Sequence, residues 1–201
     1  AIRLDPDFSE AHYELGTTYN HLNQYQDAIE PLNQAVRTNN LHSNAHLALG
    51  LANTKVEQYD QAIPHLNKAV NLNPDLLEAY SPLGLSLMKL ERFEEAAVSL
   101  GKTKTDDPNY PEAQSNLGQV FWELKQYPNA ITALKKSIKL RPSLTNSYIS
   151  LGSIYTTLGD NPQAIHYFKE AIESNPKNSE ARYNLGLVYE IVGRHHLTIS
   201  A

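Results

Sequence analysis

The sequence predicts an all-α fold, a solenoid of antiparallel helix pairs, and three observations lead to this prediction. Each of six glycines follows a leucine, and the glycines recur at intervals of 34 residues: Gly16, Gly50, Gly84, Gly118, Gly152 and Gly186. Apolar side chains around them repeat at spacings of three and four, which is the period of one helical face. A proline closes most of the repeats. A fixed period of this length is typical of stacked helix-turn-helix units.

Each repeat contains two predicted helices. The first helix of the first repeat has one small or apolar face, formed by Ala11, Leu15, Thr18 and Leu22. Tyr25 then opens a second periodic stretch. Twelve residues after each glycine comes a small residue, from Ala28 to Ala164 and finally Thr198. Because neither residue of this pair has a bulky side chain, we expect the two helices to cross closely there.

Prolines mark the end of the second helix. Asn40 takes the place of the proline that closes the other repeats at Pro6, Pro74, Pro108, Pro142 and Pro176. Proline has no N–H and fixes φ, so it stops a helix and sets the direction of the next one. The third repeat departs most from the pattern, with Pro82 in its first helix and Gly101 in its second. We expect a kink or a softer joint in this repeat.

The repeat register also predicts the domain organisation. No single helix pair buries its apolar face alone, so we expect residues 1–201 to form one cooperative domain. Complete repeats are assigned to 9–42, 43–76, 77–110, 111–144 and 145–178. Residues 1–8 are expected to end a preceding repeat. Residues 179–201 are expected to form a partial sixth repeat, with a full first helix to Val192 and only the opening turn of the second. Such unpaired ends predict self-association.

The motif is specific because it recurs in phase. In the fifth repeat it reads Tyr148, Leu151, Gly152, Tyr155, Ala164, Phe168, Ala171 and Pro176. It resembles the tetratricopeptide repeat (TPR) family over nearly the whole chain. The resemblance implies a right-handed α–α superhelix whose first helices line a concave groove. It further implies a scaffold or adaptor that binds a peptide or a partner protein in that groove.

Composition narrows the function classes. The net charge is −5, and lysines and arginines are scattered apart from a stretch between Lys125 and Arg141, so nucleic-acid binding is disfavoured. There are no cysteines, which removes disulfides, thiolate catalysis and cysteine-ligated zinc. No apolar run reaches the roughly 18 residues of a membrane helix, so no membrane insertion is expected. The compartment is not fixed by the sequence, and a cytoplasmic location is favoured.

The eight histidines are the only candidate metal or acid–base set. His12 and His46 stand where the family has a large aromatic residue, so we interpret them as packed side chains. His42 and His46 are four apart, but no third ligand is nearby in sequence. His195 and His196 are expected to face solvent. Since phosphate loops, nucleophile elbows and paired carboxylates are also lacking, the sequence predicts no metal, no cofactor and no enzymatic activity.

The predicted partner-binding surface is the stripe of first-helix residues that internal packing leaves over, at register positions 2, 5, 9 and 12. Two position-6 asparagines, Asn116 and Asn184, are added to it. The candidate binding residues on the stripe are Glu10, Tyr13, Thr17, Asn20, Asn44, Leu47, Leu51, Glu78, Leu85, Met88, Glu112, Ser115, Gln119, Trp122, Asn146, Ile149, Ser153, Glu180, Tyr183 and Leu187.

This surface predicts a protein or peptide partner with apolar anchors and basic flanks, because acids line one edge and apolar side chains lie beside them. Trp122, the only tryptophan, is predicted to be a principal anchor. In the alternative interpretation, Leu47, Leu51 and Leu85 pack between neighbouring first helices and Trp122 completes the wall of the solenoid.

Two other functions stay open at this point. The chain is compatible with a substrate-recruiting arm of a larger enzyme such as a glycosyltransferase, since family members attached to those enzymes carry asparagines at position 6. It is also compatible with a self-assembling structural array. A co-chaperone that clamps a terminal carboxylate is disfavoured, because acids, serines, tyrosines or leucines stand where that clamp has lysine, arginine and asparagine.

Overall fold

The computed structural model describes residues 8–105 and 107–199, with side chains to residue 193. In these ranges the chain forms eleven α-helices, one 3₁₀ turn (Leu77–Ala79) and no strand, so the predicted all-α class is confirmed. The helices are α1 (Ser9–His21), α2 (Tyr25–Thr38), α3 (Ser43–Lys55), α4 (Tyr59–Leu72), α5 (Tyr80–Lys89), α6 (Phe93–Leu100), α7 (Tyr110–Glu123), α8 (Tyr127–Leu140), α9 (Thr145–Thr157), α10 (Asn161–Ser174) and α11 (Ser179–Ile199).

The chain divides into two compact units, Ala1–Asp107 (unit 1) and Pro108–Ala201 (unit 2). Unit 1 contains the hairpins α1–α2, α3–α4 and α5–α6, and unit 2 contains α7–α8, α9–α10 and then α11. Within unit 1 the first helix α3 also contacts α1 and α5, and within unit 2 α9 contacts α7 and α11. The first helices of each unit therefore form a layer of their own. Cooperative unfolding of the whole chain as one domain stays a prediction.

Every complete hairpin turns through a residue in the left-handed region, at Asn23, Glu57, Glu91, Lys125 and Gly159. The N–H of Lys125 donates to the Trp122 carbonyl (2.8 Å) and that of Gln126 to the Phe121 carbonyl (2.8 Å), and the other four turns repeat this arrangement. These paired bonds are a Schellman motif, which satisfies the last carbonyls of the first helix. These turns carry no common residue in the sequence, because four different residue types occupy the position.

The glycines of the register allow the close helix crossings, but their contact differs from the prediction. A Cβ added at Gly16, Gly50, Gly84 or Gly118 would overlap the leucine sixteen residues later, and one at Gly152 would overlap the Phe168 ring. The atoms nearest to the missing Cβ thus belong to a large apolar side chain and not to the small residue twelve positions on. Leu32, Leu66, Leu100 and Leu134 are fully buried as a result.

The turn between hairpins follows from the conformation of one residue. Asn39, Asn73, Arg141 and Asn175, which follow the second helices, are all extended, with φ between −142° and −132°. The residue before a proline is biased to this conformation. At Asn39, where Asn40 replaces the proline, the side-chain oxygen accepts the Leu41 N–H (3.1 Å) and supports the same geometry.

The third hairpin is the shortest. Its first helix begins with the 3₁₀ turn Leu77–Ala79, and only from Tyr80 does it continue as an α-helix. Pro82 lies in the first turn of α5, where its missing N–H costs little. Its second helix, α6, has 8 residues, whereas the other second helices have 14. The third repeat is therefore irregular because its hairpin is shortened. Pro82 does not kink the middle of a helix.

The last segment differs from the prediction of a turn after Val192. Helix α11 continues without interruption from Ser179 to Ile199, through Gly193, which occupies the register position of the left-handed residues. The predicted opening of a second helix is wrong for the described backbone. The predicted features at Pro6, His195, His196 and Thr198 lie outside the residues whose side chains are described.

Candidate functional site

A cleft of about 230 Å³ lies on the first helices of unit 1. Six of its nine lining residues belong to the predicted stripe, namely Tyr13, Thr17, Asn20, Asn44, Leu47 and Leu51. The others, His21, Tyr25 and Ala48, were missed because they lie beside the stripe or just beyond the turn. We call this site the unit 1 cleft. Its walls are two tyrosines and two leucines, so it is mainly apolar and aromatic.

The walls of the unit 1 cleft are tied together by Asn20. Its Nδ2 donates to the carbonyl of Ala48 (3.0 Å) and so joins α1 to α3. The Oδ1 atom of Asn20 is buried and has no partner in the described part of the chain. Because this oxygen has almost no exposed surface, it is closed to an incoming segment, and the contact that the structure gives Asn20 is the one that joins the two helices.

The rim of the unit 1 cleft is acidic near α1. Glu10 is exposed and pairs with Nε2 of His42 (3.3 Å), and the His42 ring lies 4.6 Å from the Tyr13 ring. Burial, then the nearby Glu14 and Glu10 carboxylates, raise the pKa of Tyr13, so its hydroxyl stays neutral and can donate. Leu47 and Leu51 are half-buried, so each contributes both to helix packing and to the cleft wall.

A second cleft, of about 370 Å³, lies in unit 2 and is polar. Its predicted members are Glu112, Ser115, Asn116, Gln119 and Asn146. Ser143, Leu144, Thr145 and Asn175 complete it. Ser143 and Leu144 precede α9, Thr145 opens it and Asn175 follows α10, so none of the four stands at the helix positions from which the stripe is predicted. We call this site the unit 2 cleft.

The predicted acidic edge is partly neutralised in the unit 2 cleft. Arg141 forms an ion pair with Oε1 of Glu112 and donates a hydrogen bond to the carbonyl of Pro108 (3.0 Å). The other carboxylate oxygen of Glu112, Oε2, is buried without a partner among the described residues. The unit 2 cleft therefore presents amides and hydroxyls more than free negative charge.

Two predicted binding residues are turned inward. Ser115 is buried and accepts a hydrogen bond from the Ser147 hydroxyl (2.8 Å), which also lies 3.0 Å from the Ser137 hydroxyl. Ile149 is 5 % exposed and belongs to a core cluster with Phe168. Each of these side chains packs helices of unit 2 together, although Ser115 also borders the unit 2 cleft, and their contact with a partner stays a prediction.

Trp122 does not line the unit 2 cleft. Its ring is half-buried and packs against a core cluster that includes Leu134, Leu151 and Ile154. This is the alternative in which the ring completes the wall between α7 and α9. Trp122 therefore has a packing role in the structure, and its role as an anchor stays untested.

The remaining stripe residues lie outside both clefts. Tyr183, Leu187, Glu78 and Glu180 are exposed, while Leu85, Met88, Ser153 and Asn184 are half-buried. The basic stretch of α8 is engaged within unit 2, since the ammonium of Lys136 lies 4.8 Å from the centre of the Tyr110 ring. Hydrogen bonding to Tyr155 is the main cause that raises the pKa of Lys135.

Three of the described histidines, His42, His46 and His65, lie in side-chain pairs. Among the described residues, no three histidine, aspartate or glutamate side chains converge as metal ligands. His42 pairs with Glu10, and His46 is buried against His65 on the neighbouring helix. None of the helices that the structure describes combines the length and hydrophobicity needed to cross a membrane.

Comparisons with known proteins agree with this architecture. A tetratricopeptide repeat model matches residues 47–103 and 81–144, and a TPR repeat model matches residues 152–193. A model described as anaphase-promoting complex, cyclosome, subunit 3 matches residues 1–69. No curated protein sequence matches the chain.

Solved structures give the same fold. YrrB, described as a TPR protein with an unusual peptide-binding site, aligns with a TM-score of 0.78 at 18% identity, over 91% of this chain and 94% of its own. MamA aligns with a TM-score of 0.72 at 26% identity, over 81% of this chain and 95% of its own. PilF of Pseudomonas aeruginosa aligns with a TM-score of 0.75 at 19% identity, over 96% and 87%.

Proposed function

This chain belongs to the tetratricopeptide repeat family, and on that premise we propose that it is a protein-interaction scaffold that binds segments of partner proteins in two clefts of different chemistry. The family is typically non-catalytic. The observation that carries the proposal is the overlap between the clefts and the predicted stripe: six of nine lining residues in the unit 1 cleft and five of nine in the unit 2 cleft are stripe residues.

The unit 1 cleft suits an apolar or aromatic anchor. Tyr13, Tyr25, Leu47 and Leu51 surround a space of about 230 Å³, which is large enough for one or two side chains but not for a drug-sized ligand. Aromatic anchors in such pockets dominate the binding energy of many interfaces.

The unit 2 cleft suits an extended backbone. Asn116, Gln119, Asn146 and Asn175 each carry an amide that donates and accepts hydrogen bonds, as a peptide group does. Amide–amide bonding fixes the orientation of a segment with little dependence on its side chains. The peptide-binding site of YrrB, whose fold this chain shares, supports a role of this kind.

Charge adds a preference for basic flanks at the unit 1 cleft. Glu10 and Glu14 are exposed on α1 beside Tyr13, and the only positive partner that the structure gives Glu10 among the described residues is His42. Glu112, by contrast, is already paired with Arg141. We therefore expect basic selection at unit 1 and weak charge selection at unit 2. A recruiting arm of a larger enzyme would use the same clefts, and a self-assembling array would use the chain ends.

The test is a selection of binding peptides from a randomised displayed library, followed by affinity measurement with cleft variants. Leu51→Arg places a charge in the unit 1 cleft and should weaken peptides with apolar anchors by about tenfold or more, a loss of about 1.4 kcal/mol. Val98→Arg is the comparison variant, because Val98 is 65% exposed on the second helix α6 and lines a separate cleft of about 380 Å³ that contains no residue of the predicted stripe.

Equal weakening by Leu51→Arg and Val98→Arg would reject the unit 1 cleft as the anchor site. Failure of the library to yield any peptide that competes for either cleft would reject the scaffold proposal in its present form.

A further inference from the structure

Two histidines meet between the helices of the second hairpin. His46, on α3, is 4% exposed, and His65, on α4, is half-buried. Their ring centres lie 5.3 Å apart with an angle of 26° between the planes, and their Nδ1 atoms are 3.1 Å apart. The corresponding places in the third hairpin hold Tyr80 and Ser99, so the pair is peculiar to this hairpin.

The surroundings fix which nitrogens carry protons. Nε2 of His46 lies 3.3 Å from the carbonyl of Asn40, an acceptor, so Nε2 carries the hydrogen. In a neutral His46 the Nδ1 atom must then accept, and the hydrogen between the two rings comes from Nδ1 of His65. The hydrogen bond between the two Nδ1 atoms can form while His46 is neutral. It can also form when the two rings together carry one added proton. A second proton would set two N–H groups against each other.

The charged neighbours oppose protonation of the pair. Lys68, on α4, and His42, on the turn before α3, both act on His46 to lower its pKa, although burial is the larger cause. Burial and then His46 itself lower the pKa of His65. Among the described residues, no carboxylate acts on either ring. Glu10 is bonded to His42.

We propose that the His46–His65 pair makes the α3–α4 hairpin, and with it the unit 1 cleft, an acid-sensitive element that loosens when the pair takes up protons. Helix α3 carries Asn44, Leu47 and Leu51 of the cleft. Displacement of α3 therefore opens the wall that faces Tyr13. The loosening of the hairpin follows from the packing of His46 against His65. Its effect on a bound segment rests on the proposed function.

The direction of the effect follows from proton linkage. An unfolded histidine has a pKa of about 6.5, and both rings have a lower pKa in the folded protein. The unfolded chain then binds more protons as the pH falls below about 6.5, so the stability that the neutral pair contributes is present above that pH and lost below it.

The first test needs no ligand. In the full chain labelled with ¹⁵N-histidine, imidazole nitrogen shifts should show His46 as the Nε2–H tautomer at neutral pH. His46 and His65 should titrate at lower pH than an unfolded histidine, whose pKa is about 6.5. Slow-exchanging amides of α3 should lose protection over the same range. Titration of His46 at or above the pH of an unfolded histidine, without loss of protection in α3, would overturn the proposal.

The second test uses the chain's own third hairpin as a template. In that hairpin the Tyr80 hydroxyl donates to the Pro74 carbonyl (3.2 Å), and the Ser99 hydroxyl donates to the Tyr80 carbonyl (3.1 Å). The double variant His46→Tyr, His65→Ser copies this arrangement and should fold. Between pH 7.5 and 5.5, Tm of the parent chain should fall by about 2–4 °C more than that of the double variant. His166→Gln is the matched control and should behave as the parent.

An equal fall of Tm in the parent and in the double variant would overturn the inference. If α3 loosens in acid but the affinity for a peptide selected on the unit 1 cleft does not change, the acid sensitivity of the hairpin is supported. The unit 1 cleft is then rejected as the binding site.

Discussion

The unit 1 cleft and the unit 2 cleft share three register positions but differ in chemistry and in the direction in which they extend. Position 5 is Tyr13 in the first repeat and the buried Ser115 in the fourth, position 9 is Thr17 and Gln119, and position 2 of the following repeat is asparagine in both. The unit 1 cleft extends to the end of α1 and the start of α2, where a histidine and a tyrosine line it, whereas the unit 2 cleft extends to the start of α9 and the end of α10, where hydroxyls, a leucine and an asparagine line it. The packing residues, by contrast, scarcely change: the glycine faces a leucine in both repeats.

The difference shows that the shared register brings both clefts onto the first helices, while a few side chains set the extent and the chemistry of each. Glycine, its facing leucine and the left-handed turn residue hold the hairpin, and the stripe residues vary without disturbing them. Each prediction below either breaks the shared packing of one unit or changes the chemistry of one cleft.

The largest effect is expected from Gly118→Leu in unit 2. The new side chain would overlap Leu134 at the α7–α8 crossing, and overpacking of this kind costs roughly 1–3 kcal/mol or more. Chemical denaturation followed by circular dichroism should show the loss. Gly186→Leu is the control at the same register position, because nothing among the described residues lies within 4 Å of its added Cβ. Similar stability losses in both variants would contradict the crossing geometry.

Trp122→Ala should act mainly on stability. The half-buried ring packs against Leu151 and Ile154, so its removal should cost about 2 kcal/mol, below the range for a fully buried tryptophan. Affinity for peptides selected on the unit 2 cleft should stay close to that of the parent. The intrinsic fluorescence of Trp122 should also change little on peptide binding. Retained stability with a marked loss of affinity would restore Trp122 as an anchor.

A smaller effect concerns salt. A peptide with basic flanks should associate with the parent chain more slowly as salt is added, because Glu10 and Glu14 attract it over a distance that ions screen. Arg141→Gln should add salt dependence at the unit 2 cleft, since it frees the Glu112 carboxylate. Stopped-flow association rates at several ionic strengths check both points. Salt-independent rates in the parent would reject the acidic edge at unit 1.

The smallest effect concerns the turns. Lys125 has a φ of 57°, a conformation that costs a non-glycine residue roughly 1–2 kcal/mol, so Lys125→Gly should stabilise unit 2 by about 0.5 kcal/mol after the entropy cost of glycine. Gly159→Ala, at the matching turn, should destabilise by a similar amount. Thermal midpoints of the two variants should move in opposite directions; a common direction would show that these turns are not held as described.

Much of the fold could be predicted because its determinants are local and periodic. The glycine interval and the apolar spacing located the five complete hairpins. The contact that fills each glycine notch was misassigned, because Ala28 and Leu32 lie on the same face of α2 and sequence spacing does not tell which of them reaches Gly16. The left-handed turns were missed since Asn23, Glu57 and Lys125 share no side-chain property.

The site was harder to predict, because its details depend on pairs that are distant in sequence. Glu112 and Arg141, or His46 and His65, meet only once two helices or turns are packed. The inward turn of Ser115 depends in the same way on Ser147 in the next repeat. A stripe read from one helix at a time gives candidate positions, but it cannot separate a side chain that faces a neighbouring helix from one that faces solvent.

The central claim is that segments bind on the first helices, and chemical-shift mapping of a selected peptide tests it most directly. With the full chain labelled on methyl groups and side-chain amides, an apolar-anchored peptide should change the chemical shifts of Leu47, Leu51 and Asn20 at the unit 1 cleft. A peptide held by its backbone should change the chemical shifts of the side-chain amides of Asn116, Gln119 and Asn146 at the unit 2 cleft. Shifts confined to the second helices, for example at Val98 or Ile131, would contradict the account.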